Sequence, residues 1–395
     1  MAGGPPVLQI GAEQSLGYVL QPTFGTPVAV PATANNWVPF TANTLLYDIG
    51  EHLIQTGSGS RGAEQYAAQG QSKSSGDFET LLFGEQCANL YAYFFGGDAI
   101  SLGWTGTTTA VAAGATSGTL TPTGGSTLTA VITATSWITV ELGTAREETV
   151  QLATLNTGTG AYTLNAQTPF QFAHAASSPV MIGYLHSITP TQPRLLTLED
   201  QQAGQSYQLQ DVLLDQLDLT SSKTDWKAKF TVMGGHGANP IASGTPTFSA
   251  TDVSPLEWGH LSAITLPGGV SINAVDAFSL TIKNGVKQFW GGGTFDPTRA
   301  RGGLFTVAGK YTILFDSAAA ATSYANYVAG VETQIAATIG ANPNKQHVIT
   351  LPNSRMTKHP KKLTLPEFVA VDVDFGVRKP MGITWAITNA DSVVY

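Results

Sequence analysis

Along most of the chain, apolar residues alternate with polar ones over short stretches, and Gly, Pro, Asn and Ser close each stretch. A period of two in β-branched and aromatic residues predicts strands bounded by turns. It marks Gly76–Phe83, Thr127–Glu141, Tyr207–Leu214, Lys227–Met233, Phe278–Ile282, Tyr311–Phe315 and Phe368–Phe375 as strands. Between Val369 and Phe375 the odd positions are apolar, while Asp372 and Asp374 share the opposite face. A strand with one wet face belongs to an antiparallel sheet. Two segments break the pattern and predict helices. Glu85–Phe95 ends at Gly96-Gly97, and Ser317–Val328 follows a candidate N-cap, Asp316, and stops at Gly330.

The two helices expose an internal repeat. A shift of 233 residues, without gaps, aligns Gly76 with Gly309, Phe78 with Tyr311, Leu81 with Leu314, Tyr91 with Tyr324, Phe94 with Tyr327 and Gly97 with Gly330. Each copy reads as a glycine, an aromatic-bearing strand, a short helix and a terminating glycine. Further strands follow in both: Leu195–Leu198, Tyr207–Leu219 and Trp226–Met233 in the first, Gln334–Ile339, Gln346–Leu351 and Phe368–Phe375 in the second. A repeat of this length predicts two similar domains rather than a solenoid. Between the first helix and its later strands lies a Thr-rich stretch, Trp104 to Tyr184, whose charged residues are Glu141, Arg146, Glu147 and Glu148. It predicts a small β-sandwich or barrel inserted into a loop, which close-lying domain termini permit. The expected division is 1–103 with 185–245 for the first unit, 104–184 for the insert, and 246–395 for the second unit.

Composition narrows the function. The 395 residues are 42% hydrophobic and 12% charged, the opposite of a disordered chain. So few charges suit a protein that covers its surface with copies of itself, and a low-charge secreted β protein shares the trait. The net charge is −8 and the Lys and Arg are scattered, which excludes tight nucleic-acid binding through phosphate neutralisation. Cys87 is the single cysteine, so no intrachain disulfide forms. Met1–Gly11 lacks the signature of a signal peptide, and no run approaches the roughly 20 apolar residues of a membrane span. The chain reads as soluble, made in a cytoplasm and independent of membranes.

Candidate chemistry is sparse. Among His52, His174, His186, His236, His260, His347 and His359 no pair has the i, i+4 spacing of a helical metal site. Glu147-Glu148 and Asp372/Asp374 are paired carboxylates, but no loop of alternating oxygen ligands accompanies them. Gly291-Gly292-Gly293 and Gly302-Gly303 lack a following Lys-Ser/Thr, and Ser58 occupies the place where a nucleophile elbow at Ser60 needs glycine. The expectation is no catalytic residue, no cofactor-binding residue, no metal ligand and no cofactor. Two polar stretches look purposeful instead. Ser58–Lys73 and Trp290–Gly303, the latter with Arg299 and Arg301, precede equivalent strands and are expected as loops that dock on a neighbouring subunit. The N-terminal arm, Met1–Pro39, is expected to lie across a partner.

In order and spacing the chain resembles the tail tube (major tail) proteins of long-tailed phages. The resemblance rests on Glu13, Gly17-Tyr18 and Phe24-Gly25-Thr26-Pro27, then Trp37-Val38-Pro39-Phe40, then the loop at Arg61 and Gly76-Asp77-Phe78-Glu79 with its helix. It continues through Leu196–Asp200, Tyr207–Leu219, Trp226–Gly234, Phe278–Ile282 and Gly309–Phe315. Within the insert, Glu147–Val150 and Phe172–Ala175 look like a β module common in these proteins. The resemblance implies a mainly β fold: two tandem tail-tube-type β-sandwich or barrel domains, each flanked by a short helix, plus the inserted β-sandwich. It implies a structural virion protein, not an enzyme, assembled in the host cytoplasm into stacked rings whose lumen passes double-stranded DNA without specific binding. Six tube domains per ring would make a homotrimer with pseudo-sixfold symmetry, a ring of six chains being the alternative. Tail terminator, tape measure and tail tip proteins are the implied partners. A terminator, baseplate hub or decoration protein, or a glycan-binding adhesive protein, is the competing class.

Overall fold

The structure is a computed structural model of the chain. It describes residues 15–391 apart from 34–35, 57–63, 85–86, 102, 124–127, 129–131, 134, 143, 203–204, 222–223, 242–244, 248–254, 267–274, 315–316 and 360–369. The first strands are β1 (Ser15–Leu20), β2 (Trp37–Val38), β3 (Phe40–Asn43), β4 (Leu46–Thr56) and β5 (Glu64–Leu81), then helix α1 (Ala88–Phe95) and β6 (Gly96–Ser101). Six strands follow: β7 (Trp104–Thr108), β8 (Ser117–Pro122), β9 (Trp137–Val140), β10 (Glu148–Leu155), β11 (Ala161–Leu164) and β12 (Ser178–Ile182). Next come β13 (Tyr184–Pro190), β14 (Leu196–Gln202), β15 (Gln205–Ser221), β16 (Trp226–Gly234) and β17 (His236–Ile241). The last part holds β18 (Leu261–Thr265), β19 (Val275–Lys283), β20 (Lys287–Trp290), β21 (Pro297–Arg301) and β22 (Thr306–Leu314). Helix α2 (Ser317–Ala329), β23 (Glu332–Asn342), β24 (Lys345–Lys358), β25 (Ala370–Val377) and β26 (Thr384–Asn389) complete it.

The fold is mainly β and antiparallel. A main sheet runs β3/β4–β5–β16–β15–β19–β22–β25–β24. Strands β15 and β24 are long, and only their C-terminal halves lie in it. The N-terminal half of β15 joins an outer sheet, β2–β1–β14–β15–β17, and that of β24 joins another, β18–β23–β24–β26–β13–β6. Strands β7 to β12 close a separate barrel. The barrel has its own core, including Trp104, Ile138, Val150, Leu152 and Phe170, whereas one larger core joins Phe78, Tyr91 and Phe230 to Tyr311, Phe375 and Trp385. The insert is thus a closed barrel rather than an open sandwich: β9 bonds to β10 and β12, and β8 to β7 and β11, leaving no free edge.

Local sequence accounts for the elements. In β16, Trp226, Ala228, Phe230 and Val232 are buried while Lys227, Lys229 and Thr231 face outward. Helix α1 is apolar apart from Asn89, whose Oδ1 accepts from the Tyr18 hydroxyl, and every residue in it is buried. It stops at Gly96 with φ +88, where a Cβ would stand 1.8 Å from the Gln192 carbonyl oxygen, so only glycine fits. Helix α2 stops at Gly330, also left-handed at φ +64. Asp316, Arg61, Glu13 and Phe368 lie outside the described residues.

The two halves pair strand for strand. The pairings of β3, β5, β16, β15, β14, β1 and β17 are those of β19, β22, β25, β24, β23, β18 and β26. Irregularities recur at matching places: Phe40/Ala42 and Val275/Ala277, Leu196/Leu198 and Thr333/Ile335, Leu214/Gln216 and Met356/Lys358. Beside the last pair, Asp211 (φ 57) and Asn353 (φ 51) both adopt the left-handed conformation, which Asp and Asn tolerate best among residues with a Cβ.

Four expectations need correction. Glu64–Lys73, expected as loop, forms the N-terminal half of β5 and pairs with β4; only 57–63 fall outside the described residues. Pro297–Arg301, also expected as loop, pairs with β20 in the corresponding hairpin. Both sequences are polar on both faces, so their strands carry no alternation to read. The Thr127–Glu141 strand shrinks to β9, Trp137–Val140. From Ser15 onward the N-terminal arm folds on its own chain, with Tyr18 and Trp37 fully buried.

Candidate assembly surfaces

The main sheet has two chemically distinct faces. Towards the helices it presents Phe78, Phe230, Leu217, Leu280, Tyr311 and Val373, all buried. Strand alternation puts Asp77, Glu79, Lys227, Lys229, Asp218, Lys283, Lys310, Asp372, Asp374 and Lys358 on the other face. Six of these ten charges form three ion pairs. Lys227 Nζ lies 2.8 Å from Glu79 Oε1, Lys229 Nζ 2.9 Å from Asp77 Oδ2, and Lys310 Nζ 2.7 Å from Asp372 Oδ2. Asp218 accepts hydrogen bonds from Thr281 Oγ1 at 2.6 Å and Gln216 Nε2 at 2.5 Å. The hydrogen bond from Lys227 holds the Glu79 carboxyl below its ordinary range. Partial burial alone would raise Asp77, but Thr231 and Lys229 outweigh it and hold Asp77 low. The partner carboxylates raise Lys227 and Lys229 in turn.

The pairs Asp77–Lys229 and Lys310–Asp372 occupy the same place in the two halves with the sign reversed. Asp77 precedes Phe78 as Lys310 precedes Tyr311, and Lys229 opposes Glu79 as Asp372 opposes Thr312. Sequence reasoning noticed Asp372/Asp374 but missed this relation; the Lys-x-Lys of β16 against the Asp-x-Asp of β25 was the available signal.

Within the chain the halves meet where β15 pairs with β19, from Gln216↔Lys283 to Thr220↔Ser279. The outer edges are open: among the described residues β3 and β4 pair only with β5, and beyond Arg355 β24 pairs only with β25. Leu46, on the β4 edge, is 52% exposed. The family model described as phage tail tube protein matches residues 11–377. The chain belongs to the phage tail tube protein family. No curated protein matches it. As a tail tube protein it is a structural component of the virion tail, built to assemble with itself and other tail proteins into a tube. None of the described helices is long and apolar enough to cross a membrane.

Within this tail tube protein the candidate residues fall into structural settings. His347 accepts from Trp385 Nε1 at 3.0 Å and donates through Nε2 to the Phe83 carbonyl at 2.7 Å, bridging the two halves. His186 lies between Asp98, 3.1 Å away, and the Asp391 carbonyl, 3.0 Å away. His174 contacts Glu148 at 2.5 Å inside the barrel, and the backbone amides of Gln171 and Phe172 donate to the same carboxylate. Glu147 instead accepts from Asn342 in the β23–β24 turn. Asn344 of that turn donates to Trp137 O and Thr139 Oγ1, so the turn buttresses the barrel. His359 faces Ser323 and the rings of Tyr324 and Tyr327. His260 Nδ1 accepts the Glu257 amide, and the side chains of His52 and His236 lie outside the described set. Cys87 is buried. No group of three or more His, Cys, Asp or Glu among the described residues could hold a metal ion.

Of the two polar stretches expected to dock, one reaches the other. Tyr47 at the base of the β4–β5 hairpin donates to Asp296 at 2.9 Å, and Ser72 bonds to Asp296 and to the Phe295 carbonyl. Asp296 and Phe295 sit at the tip of the β20–β21 hairpin, so the first half's hairpin holds the second half's.

Proposed function

We propose that this tail tube protein polymerises as stacked homotrimeric rings with pseudo-sixfold symmetry, forming the channel through which double-stranded DNA is ejected into the host. The observation that carries this reading is the repeated fold joined side by side in one sheet. Each half offers a β3- or β19-type edge on one side and a β15- or β24-type edge on the other. One such junction is satisfied inside the chain, and the remaining two edges are complementary. A head-to-tail contact of this kind generates a ring when the rotation closes. Three chains supply six tube units.

The charge-paired face suits the lumen. Lys227, Lys229 and Lys310 are already held by carboxylates, and acidic and basic groups balance on this face, so DNA slides past without specific binding. The two halves act as two tube units within one folded body, and the barrel at 104–184 is a separate module on the outside, where it leaves the channel clear. The protein has no enzymatic role, is made and assembled in the host cytoplasm, and meets tape measure, terminator and tail tip proteins within the tail. Electron microscopy of the purified protein tests this: rings stacked into tubes of tail width support it. Rings that never stack would favour a terminator or hub, and a sugar-binding monomer would exclude a tube.

A further inference from the structure

The exposed face of α2 has a covered counterpart inside the same chain. In α1, Tyr91 and Phe95 are 2% and 1% exposed. The other half covers them: Trp385 of β26 stacks on Tyr91 at 4.8 Å and lies 6.0 Å from Phe95, and His347 of β24 meets Tyr91 edge-on at 5.5 Å. The matching positions of α2, Tyr324 and Val328, are 45% and 68% exposed, and Val331 beyond it is 38% exposed. An apolar helix face repeated twice, once sealed and once open, needs a second seal of the same kind.

The edges of the main sheet point to the same occupant. In the internal junction Gln216 faces Lys283. The register places Lys358 where Gln216 stands, since both follow the shared irregularity and oppose Asp374 and Thr231 respectively. It places Asp48 where Lys283 stands, since they oppose Lys73 and Thr306. Lys358 and Asp48 are both exposed and of opposite sign.

Building on the ring reading, we propose that a second copy of this chain docks end to end on α2. The outer sheet of its first half (β14, β15 and β17) covers Tyr324, Val328 and Val331, and its Asp48 faces Lys358. The contact is heterologous, so each copy is covered by one neighbour and covers the next.

The test compares wild type with Val328→Asp, Asp48→Lys, Lys358→Asp and the double charge swap, by sedimentation velocity and electron microscopy, with circular dichroism reporting the fold. The expected result is that V328D and each single charge reversal raise the concentration needed for assembly at least about tenfold while keeping the β spectrum, and that the swap restores it. Wild-type rings accompanied by V328D and D48K rings at unchanged concentration would overturn this interface and leave the tube reading intact. A wild type that never assembles would instead sink the tube reading and, with it, this interface.

Discussion

Replacing Trp385 with alanine should unfold the body of the protein far more easily while leaving the barrel protected. Trp385 is completely buried, stacks on Tyr91 at 4.8 Å and donates from Nε1 to His347 at 3.0 Å. Truncating a buried tryptophan costs about 3–5 kcal/mol. The upper end applies here, because an aromatic pair worth about 0.5–1.5 kcal/mol is lost. A buried His347 acceptor is also stranded, at about 1–3 kcal/mol. Trp385→Phe keeps an aromatic ring against Tyr91 but loses the Nε1 donor and some buried volume, so it should cost less than alanine. The assay is urea denaturation followed by hydrogen exchange of individual peptides. Because the larger core spans both halves, their peptides should lose protection together in one shifted transition. Peptides from 104–182 depend on a separate core and should keep theirs. A loss below about 1 kcal/mol, or barrel peptides opening in step with the body, would refute the reasoning.

Further outcomes follow from other sites. Burial alone would lower His186, but hydrogen bonds to Asp98 and the Asp391 carbonyl win and hold the imidazole above its ordinary value of 6.5. Its stabilising contribution is therefore full below that pH and lost as pH rises through the raised pKa, and His186→Gln should flatten this slope in thermal melts. Asp77→Lys and Lys229→Asp should each destabilise by up to about 1 kcal/mol, the pair being partly exposed, whereas the double swap recreates the arrangement of the second half and should recover most of the loss in a double-mutant cycle. Asn353→Gly should be near neutral and Asn353→Val should cost about 1–2 kcal/mol by chemical denaturation, because the site is left-handed.

The strand–helix unit was legible because its signals are local. Gly76–Gly97 and Gly309–Gly330 carry alternation, a helical stretch and a terminating glycine, and they align without gaps. Beyond Gly97 the two copies fall out of step, since β6, the barrel and β13 stand between α1 and β14, whereas α2 runs almost directly into β23. The match of β15 with β24 therefore appears only through paired registers and the left-handed Asp211 and Asn353. The polar hairpins were misread because a sequence with polar residues at both odd and even positions has no hydrophobic period. That both halves share one sheet and one core was invisible as well. The β15–β19 pairing links residues such as Asp218 and Thr281, whose side chains give no clue to their partners. The assembly surface was glimpsed only as acidic spacing in β25; its meaning needs Lys310 across the strand.

Symmetry-free cryo-electron microscopy of assembled tubes tests the central claim most directly. The account predicts three chains per ring, six quasi-equivalent tube units around the lumen and the Asp77–Lys229 and Lys310–Asp372 pairs facing it. Six chains per ring, or a lumen lined by any other face, would contradict it.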